Sequence, residues 1–285
     1  MKTIPVFFTP RMTAQSRSFS PSASKPGQAV ASWKRLGLPL DFHEPTPLTP
    51  ADFARAHDAE FVRAVLELRR ENGFGNRSPE VAASLAWTSG AMCSAARHAG
   101  KHGGVAVAPC SGFHHAGWSH PEGFCTFNGL MVTAAVLHAE GAKHIGIVDC
   151  DEHYGNGTDE IIAKLGKPKW VSHFTAGREY TRPEQARAFF EKLPSVLARF
   201  SGCDVVLYQA GADPHVDDPL GGWLTTEQLA QRDRMVFETL DKMRVPVAWN
   251  LAGGYQVEED GSIPKVLEIH DNTMRACAGV FLAGG

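Results

Sequence analysis

Asp151, His153 and Asp213 carry the donor types of a metal centre. Asp151 and His153 stand two apart just beyond an apolar run at 144–148. In extended chain, residues i and i+2 face the same side, so both side chains can turn toward one ion. Asp213 follows a second apolar run, at 205–209, and supplies a third donor. One imidazole nitrogen and two carboxylate oxygens, with a position left open, suit catalytic Zn²⁺ or Fe²⁺. A lone Asp-x-His more often caps a turn, so the weight of this pattern comes from the residues that accompany it.

The first of these is His114–His115, flanked by Gly112 and Gly117. Adjacent imidazoles beside a metal supply a general base and a general acid to a water molecule. Each needs a partner on its other nitrogen. Asp149 is the candidate, because it shares the face of Asp151 by the same two-residue period. The second is Tyr255, which follows Gly253–Gly254 after an apolar stretch. A phenol aimed inward from a glycine turn donates to an oxyanion that develops on a carbonyl.

These groups need a scaffold, and the pattern of the chain predicts one. Short β-rich runs fall at 4–8, 105–108, 144–148, 170–173, 205–209 and 245–251. Helical stretches fall at 81–98, 130–140, 158–165, 183–200, 225–243 and 266–282. Thr49, Pro50 and Asp52 mark a capped helix start. Apolar strands alternating with amphipathic helices predict an α/β fold with a mostly parallel central sheet flanked by helices. No linker interrupts the pattern, so 1–285 is read as a single catalytic domain. Ligands of open parallel sheets bind at the C-terminal strand ends. Four such ends carry polar, glycine-rich segments: SGFHHAGWSHPEGFC, DCDEHYGNGT, AGADPHVDDPLGG and AGGY. One shared site explains all four.

Composition narrows the classes. With 43% apolar and 21% charged residues the chain is not disordered. Its formal charge of −3, without a block of like charge, gives no footprint for nucleic acid. No apolar run approaches the length of a membrane span. Six scattered cysteines without a CxxC pair or a secretory signal predict reduced thiols and a cytoplasmic protein. An oligomer is left open.

The blocks GFHHAG, EGFCTFN, VDCDEHYGNGT, GADPHVDDPLGG and LAGGY occur in this order. They resemble the histone deacetylase and acetylpolyamine amidohydrolase family, which has an arginase-like fold. GNG and DPLGG are closest to its class II and bacterial branches. The resemblance runs from about Ser78 to Leu282. It implies a zinc-dependent amidohydrolase acting on an acylated lysine, a polyamine or a small acyl-amine. Asp151, His153 and Asp213 would bind zinc, with Fe²⁺ an alternative. His114 and His115 would be the tandem histidines, with Asp149 orienting His114 and Asn156 as a neutral partner of His115. Tyr255 would stabilise the tetrahedral intermediate. Gly112, Phe124, Leu220 and Gly253 would face the substrate. Potassium would bind Asp149 and Ser172 with the carbonyls of Asp151 and His153.

Departures from the family pattern bear on substrate. Tyr154 stands where most members have a second histidine, and the loop after Ser172 is short and lacks the usual tunnel phenylalanine. Tyr180 is the candidate for the second wall. Leu220 occupies the position where an acetylpolyamine-specific relative has Glu, which favours a neutral or peptide-like chain. Glu71, Glu80 and Glu122 are candidates for an acidic rim. Two rivals remain: a two-manganese arginase-type hydrolase, disfavoured by Gly155 where a further Asp is needed, and a non-catalytic acyl-lysine binding module.

Overall fold

The computed structural model describes residues 2–283. Its strands are β1 (Ile4–Phe7), β2 (Leu40–His43), β3 (Val105–Val107), β4 (Ile145–Asp149), β5 (Val171–Thr175), β6 (Val205–Gln209) and β7 (Val247–Asn250). The helices are α1 (Lys25–Trp33), α2 (Pro50–Phe53), α3 (Ala59–Leu66), α4 (Pro79–His102), α5 (Gly129–Ala139), α6 (Asn156–Lys164), α7 (Ala186–Ala198), α8 (Thr226–Lys242) and α9 (Pro264–Phe281). The seven strands form one sheet in the order β2-β1-β3-β7-β6-β4-β5. Every neighbouring pair is parallel.

Alternation along the strands sorts the core into two layers. Val206, Tyr208, Val247 and Trp249 face α7, α8 and α9. Their chain neighbours Val205, Leu207 and Ala248 face α4 and α5 on the other side. A central strand buried on both faces therefore reads as an unbroken apolar run, as it does here. Burying one such aliphatic side chain is worth about 1.5–3 kcal/mol, so the sheet centre is a rigid platform for whatever its ends carry.

Local chemistry sets the helix ends. Thr49 and Asp52 form the reciprocal capping box, with Pro50 in the first turn of α2. Thr225 and Gln228 do the same for α8. Ser78 caps α4, which ends at Gly103 with φ +75°. That left-handed conformation suits glycine.

Two expectations need correction. The segment Leu40–His43 is a strand that the sequence pattern misses. It pairs with β1 through its backbone at the sheet edge, and Phe42 stays exposed, so no buried face imposes a period. The fifth strand also runs two residues further than expected, to Thr175. Among the described residues, no helix is long and apolar enough to cross a membrane.

Candidate metal centre and its tandem histidines

The four motif-bearing strands are consecutive in the sheet, β3-β7-β6-β4. Their C-terminal ends therefore converge. Asp149 ends β4, with Gln209 of β6 as its register partner on one side and Thr175 of β5 on the other. The chain then leaves the ladder and presents Asp151 and His153. Asp213 arrives from β6 and Tyr255 from β7.

Donor atoms of Asp151, His153 and Asp213 lie within 4.8 Å of one another. Nδ1 of His153 is 3.2 Å from Asp213 Oδ2 and 3.5 Å from Asp151 Oδ1. Its Nε2 lies 3.2 Å from the Leu220 carbonyl. A proton donated there leaves Nδ1 as the free donor. Both carboxylates are buried. Burial and the charge of Asp151 push the Asp213 carboxyl up to about 7. Burial also works against a charge on Asp151, but His114 and His153 outweigh it and hold that carboxyl well below its usual range. On His153, burial is overcome by the bonds to Asp151 and Asp213, which push it up to about 11. A pocket that draws a proton this strongly is built for a positive charge, and the oxygen and nitrogen donors fit one divalent ion.

Two glycines let the site close. A Cβ on Gly253 would overlap the Asp213 carboxylate, and one on Gly211 would meet both Asp213 and Asp151. Gly253 also donates its N–H to Asp151 Oδ2 at 2.8 Å. That bond orients a carboxylate of the candidate metal triangle; the resemblance puts Gly253 on the substrate side.

The tandem histidines differ in environment. His114 is buried, with Nδ1 2.7 Å from Asp149 Oδ2 and Nε2 3.4 Å from Asp151. Asp149 is held in turn by the Gln209 amide at 3.0 Å. Burial opposes charge on His114, but Asp149 and Asp151 prevail and push it up to about 9. A divalent ion at the centre would act against that rise. Nδ1 of His115 lies 2.6 Å from Asn156 Oδ1. A carbonyl oxygen only accepts, so Nδ1 donates and Nε2 is left as the acceptor. Burial and the neighbouring His114 push His115 down to about 4. The ring centroids are 4.1 Å apart. One histidine thus favours the charged form and the other the neutral form. The Asn156 amide donates to Glu122 Oε2 at 2.9 Å, so Glu122 backs this chain.

Tyr255 is buried at the same centre, and its N–H donates to Asp218 Oδ2 at 2.8 Å. Burial and the nearby Asp213 and Asp151 push its phenol well above 10, so it stays a proton donor. Phe124 packs 5.5 Å from the Tyr255 ring. It has φ +63°, a strained value for a phenylalanine, and its N–H is tied to the Gly73 carbonyl at 3.1 Å. Phe19 and Phe74 pack against its other sides. Gly112 lies against Ala252, and an apolar cavity lined by Met12, Pro26, Phe74, Leu85, Phe113 and Phe127 opens behind Gly112 and Phe124. A groove beside Tyr255 is bordered by Phe19, Pro219 and Val257 and by the acidic residues Asp217, Glu258 and Glu259. The Leu220 side chain is exposed, while its carbonyl serves His153.

Some expected residues are not brought in. Ser172 sits opposite Gly146, three register positions before Asp149, and its hydroxyl meets His144 at 2.8 Å. The residue beside Asp149 is Thr175. The side chains expected for potassium therefore do not fit as a set. Tyr180 is buried against Trp223 and Phe189 and forms core, not a tunnel wall. Other contributors escape sequence inspection. Lys25 of α1 is fully buried and donates to the carbonyls of Ala252 at 2.6 Å and Gly253 at 3.0 Å. Burial pushes it down to about 8. Phe19 and Phe74 lie in segments read only as loops, although the glycines flanking Phe74 are a faint sign of a tight approach.

Fold and site define an α/β protein with an Asp/His/Asp triangle that could hold a metal ion and a histidine pair at the end of a parallel sheet. The chain belongs to the histone deacetylase domain family, whose model matches residues 22–180 and 173–267. The match begins well before Ser78, so it includes the segments that carry Lys25 and Phe74. The chain is 29% identical over 176 residues to the acetylpolyamine amidohydrolase of Mycoplana ramosa, a stretch that is 52% of this chain and 50% of that protein. It is 48% identical over 59 residues to histone deacetylase 15 of Arabidopsis thaliana, covering 21% of this chain and 11% of that one. The matched stretches thus span about half, or less, of these curated relatives. In structure it resembles the HDA15 HD domain, with TM-score 0.76, 21% identity and coverage of 99% of this chain and 90% of that one. It also resembles the acetylpolyamine aminohydrolase of Burkholderia pseudomallei, with TM-score 0.75, 17% identity and coverage of 98% and 99%. The arginase/deacetylase-like fold is shared with both.

Proposed function

We propose that the chain is a zinc-dependent amidohydrolase that removes an acetyl or other acyl group from an acylated amine such as N-acetyl-lysine. Fe²⁺ suits the same donors. One observation carries the reading: two adjacent histidines, one held by a buried carboxylate and one by a neutral amide, stand beside the Asp151–His153–Asp213 triangle and a buried tyrosine. When bound, the divalent ion supplies Lewis acidity toward a carbonyl and lowers the pKa of water toward about 7.

The rest is done by the chain. His115, with Nε2 free, accepts a proton from the attacking water. Asp149 orients His114 through its Nδ1, and a histidine returns a proton to the leaving amine. The Tyr255 hydroxyl donates to the oxyanion. Phe124 and its aromatic neighbours sheathe the carbon chain and exclude water. Products are a carboxylate and a free amine. Each proton transfer is worth about 10²–10⁴-fold and an oxyanion donor about 10²–10³-fold.

A second substrate reading, an acetylpolyamine, draws support from the groove beside Tyr255, whose border holds Asp217, Glu258 and Glu259. Carboxylates there complement a distal ammonium. Potassium dependence, expected from the resemblance, has no side-chain support at Ser172.

The test is kcat/KM for acetyl-lysine peptides, acetylpolyamines and longer acyl-lysines, with and without a chelator. Turnover that the chelator abolishes and zinc restores is expected. Zinc-loaded, folded protein that cleaves no acyl-amine in the panel refutes the reading in favour of a binding module.

A further inference from the structure

Arg232 of α8 is fully buried, yet it lies outside the chemistry described so far. Its Nη1 donates to two backbone carbonyls, Cys150 at 2.9 Å and Gly211 at 2.8 Å. Cys150 immediately precedes Asp151, and Gly211 lies two residues before Asp213. A single guanidinium nitrogen therefore joins the two strand ends that bear the carboxylate ligands.

The place of this bridge matters. The β4–β6 ladder ends at Asp149 and Gln209, with one further bond from the Cys150 N–H to the Gln209 carbonyl at 3.0 Å. Beyond that point no backbone ladder fixes the spacing of Asp151 and Asp213. Both are buried and their like charges repel. The Glu152 N–H reaches Asp213 Oδ1 at 3.3 Å, a single bond to a side chain; Arg232 is placed to tie the two backbones themselves.

The guanidinium is itself held. Nε donates to Asp233 Oδ1 at 2.8 Å, and Nη2 lies 2.8 Å from the same oxygen. The other Asp233 oxygen accepts from Thr273 of α9 at 2.6 Å. The Tyr208 hydroxyl of β6 also donates to Asp233. A planar fork clamped at one edge presents its remaining donor in a fixed direction. An ammonium on a flexible stem does not.

The geometry points to Arg232 as a positioning residue that sets the separation of Asp151 and Asp213 and thereby the affinity of the centre for its divalent ion. The inference rests on the metal reading above and goes beyond it. It assigns a role in metal affinity to a side chain that touches neither metal nor substrate.

The test is zinc affinity of the full chain, measured by competition with a chromophoric chelator, alongside the melting temperature of the metal-free protein. Removing a residue that orients ligands typically weakens metal binding about 10–100-fold. Arg232→Lys should remain folded and show a loss in that range. Arg232→Lys with wild-type zinc affinity and a lowered melting temperature would make Arg232 a fold-stabilising residue only, and the inference fails. Should Arg232→Lys not fold, Thr273→Val serves, because it keeps the shape and removes only the bonds to Asp233 and to the Ile269 carbonyl within its own helix. Several-fold weaker zinc binding is then expected, and unchanged affinity overturns the proposal. Wild-type protein that takes up no divalent ion would instead remove the metal reading itself.

Discussion

Replacing Asn156 by Asp tests which histidine accepts the proton. Asn156 Oδ1 lies 2.6 Å from His115 Nδ1, and His115 is pushed down to about 4 by burial and by His114. The substitution puts a carboxylate where a neutral amide was, with charge centres about 4 Å apart. At an effective dielectric near 20 that is about 4 kcal/mol, or roughly 3 pKa units. Glu122 offsets part of this. Its carboxylate, 2.9 Å from the Asn156 amide, would face a second negative charge instead of a donor. A net rise of about 1–2 units in the His115 pKa is expected. The base must be neutral to act, so the acid limb of kcat/KM against pH should move toward alkaline by that amount. The assay is a full pH profile of wild type and Asn156→Asp on one acylated substrate, since kcat/KM reports the free enzyme. An acid limb that stays in place in a folded, metal-loaded variant would refute the assignment of His115 as base.

Three other outcomes follow from the site. Tyr255→Phe should keep fold and metal and lower kcat by about 10²–10³-fold with a smaller change in KM, the loss of one oxyanion donor; steady-state kinetics with a zinc assay checks both. Gly253→Ala drives a Cβ into the Asp213 carboxylate, so it should lower zinc content in dialysed protein while circular dichroism stays native; full occupancy would contradict the close approach. Leu220→Glu leaves the carbonyl that serves His153 and changes only an exposed side chain. It should raise kcat/KM for acetylpolyamines relative to acetyl-lysine peptides by roughly 5–150-fold, the equivalent of about 1–3 kcal/mol for a charge-assisted contact. An unchanged ratio would show that Leu220 does not face the entrance.

How much the sequence reveals depends on the kind of force that places each residue. The buried strands are legible because burial on both faces imposes an apolar run, and the convergence of Asp151, His153 and Asp213 because they follow those runs directly. The edge strand Leu40–His43 escapes because backbone pairing alone makes it. Ser172 and Thr175 show how a boundary matters: a strand ending two residues later exchanges the hydroxyl beside Asp149 for another. Tyr180 follows a loop and so looks available for a wall, while its ring packs on Trp223 and Phe189. Lys25 and Arg232 are invisible for a different reason. Their partners are backbone carbonyls, which every residue has, at sequence separations of 227 and 82 for Ala252 and Cys150. No side-chain pattern announces such a contact.

The strand order has a consequence for how the molecule is made. The last strand in sequence, β7, lies between β3 and β6. Until it emerges, the sheet exists as two three-stranded halves, each with an unpaired inner edge, and such edges invite wrong partners. At about 5–20 residues per second of synthesis, the roughly forty residues from the end of β6 to the end of β7 leave those edges open for seconds. The halves are not chemically equal. Asp151, His153 and Asp213 all belong to the β6-β4-β5 half, whereas His114 and His115 arrive from β3, and Tyr255 and Lys25's carbonyl partners follow β7. On the proposed metal reading, the three donors can therefore come together in an incomplete chain, before Tyr255 is in reach. In refolding followed by pulsed hydrogen exchange, protection of β4 and β6 should precede that of β7, and zinc uptake should track the earlier phase; protection of β7 together with β4 and β6 would show that β7 nucleates the sheet instead of sealing it.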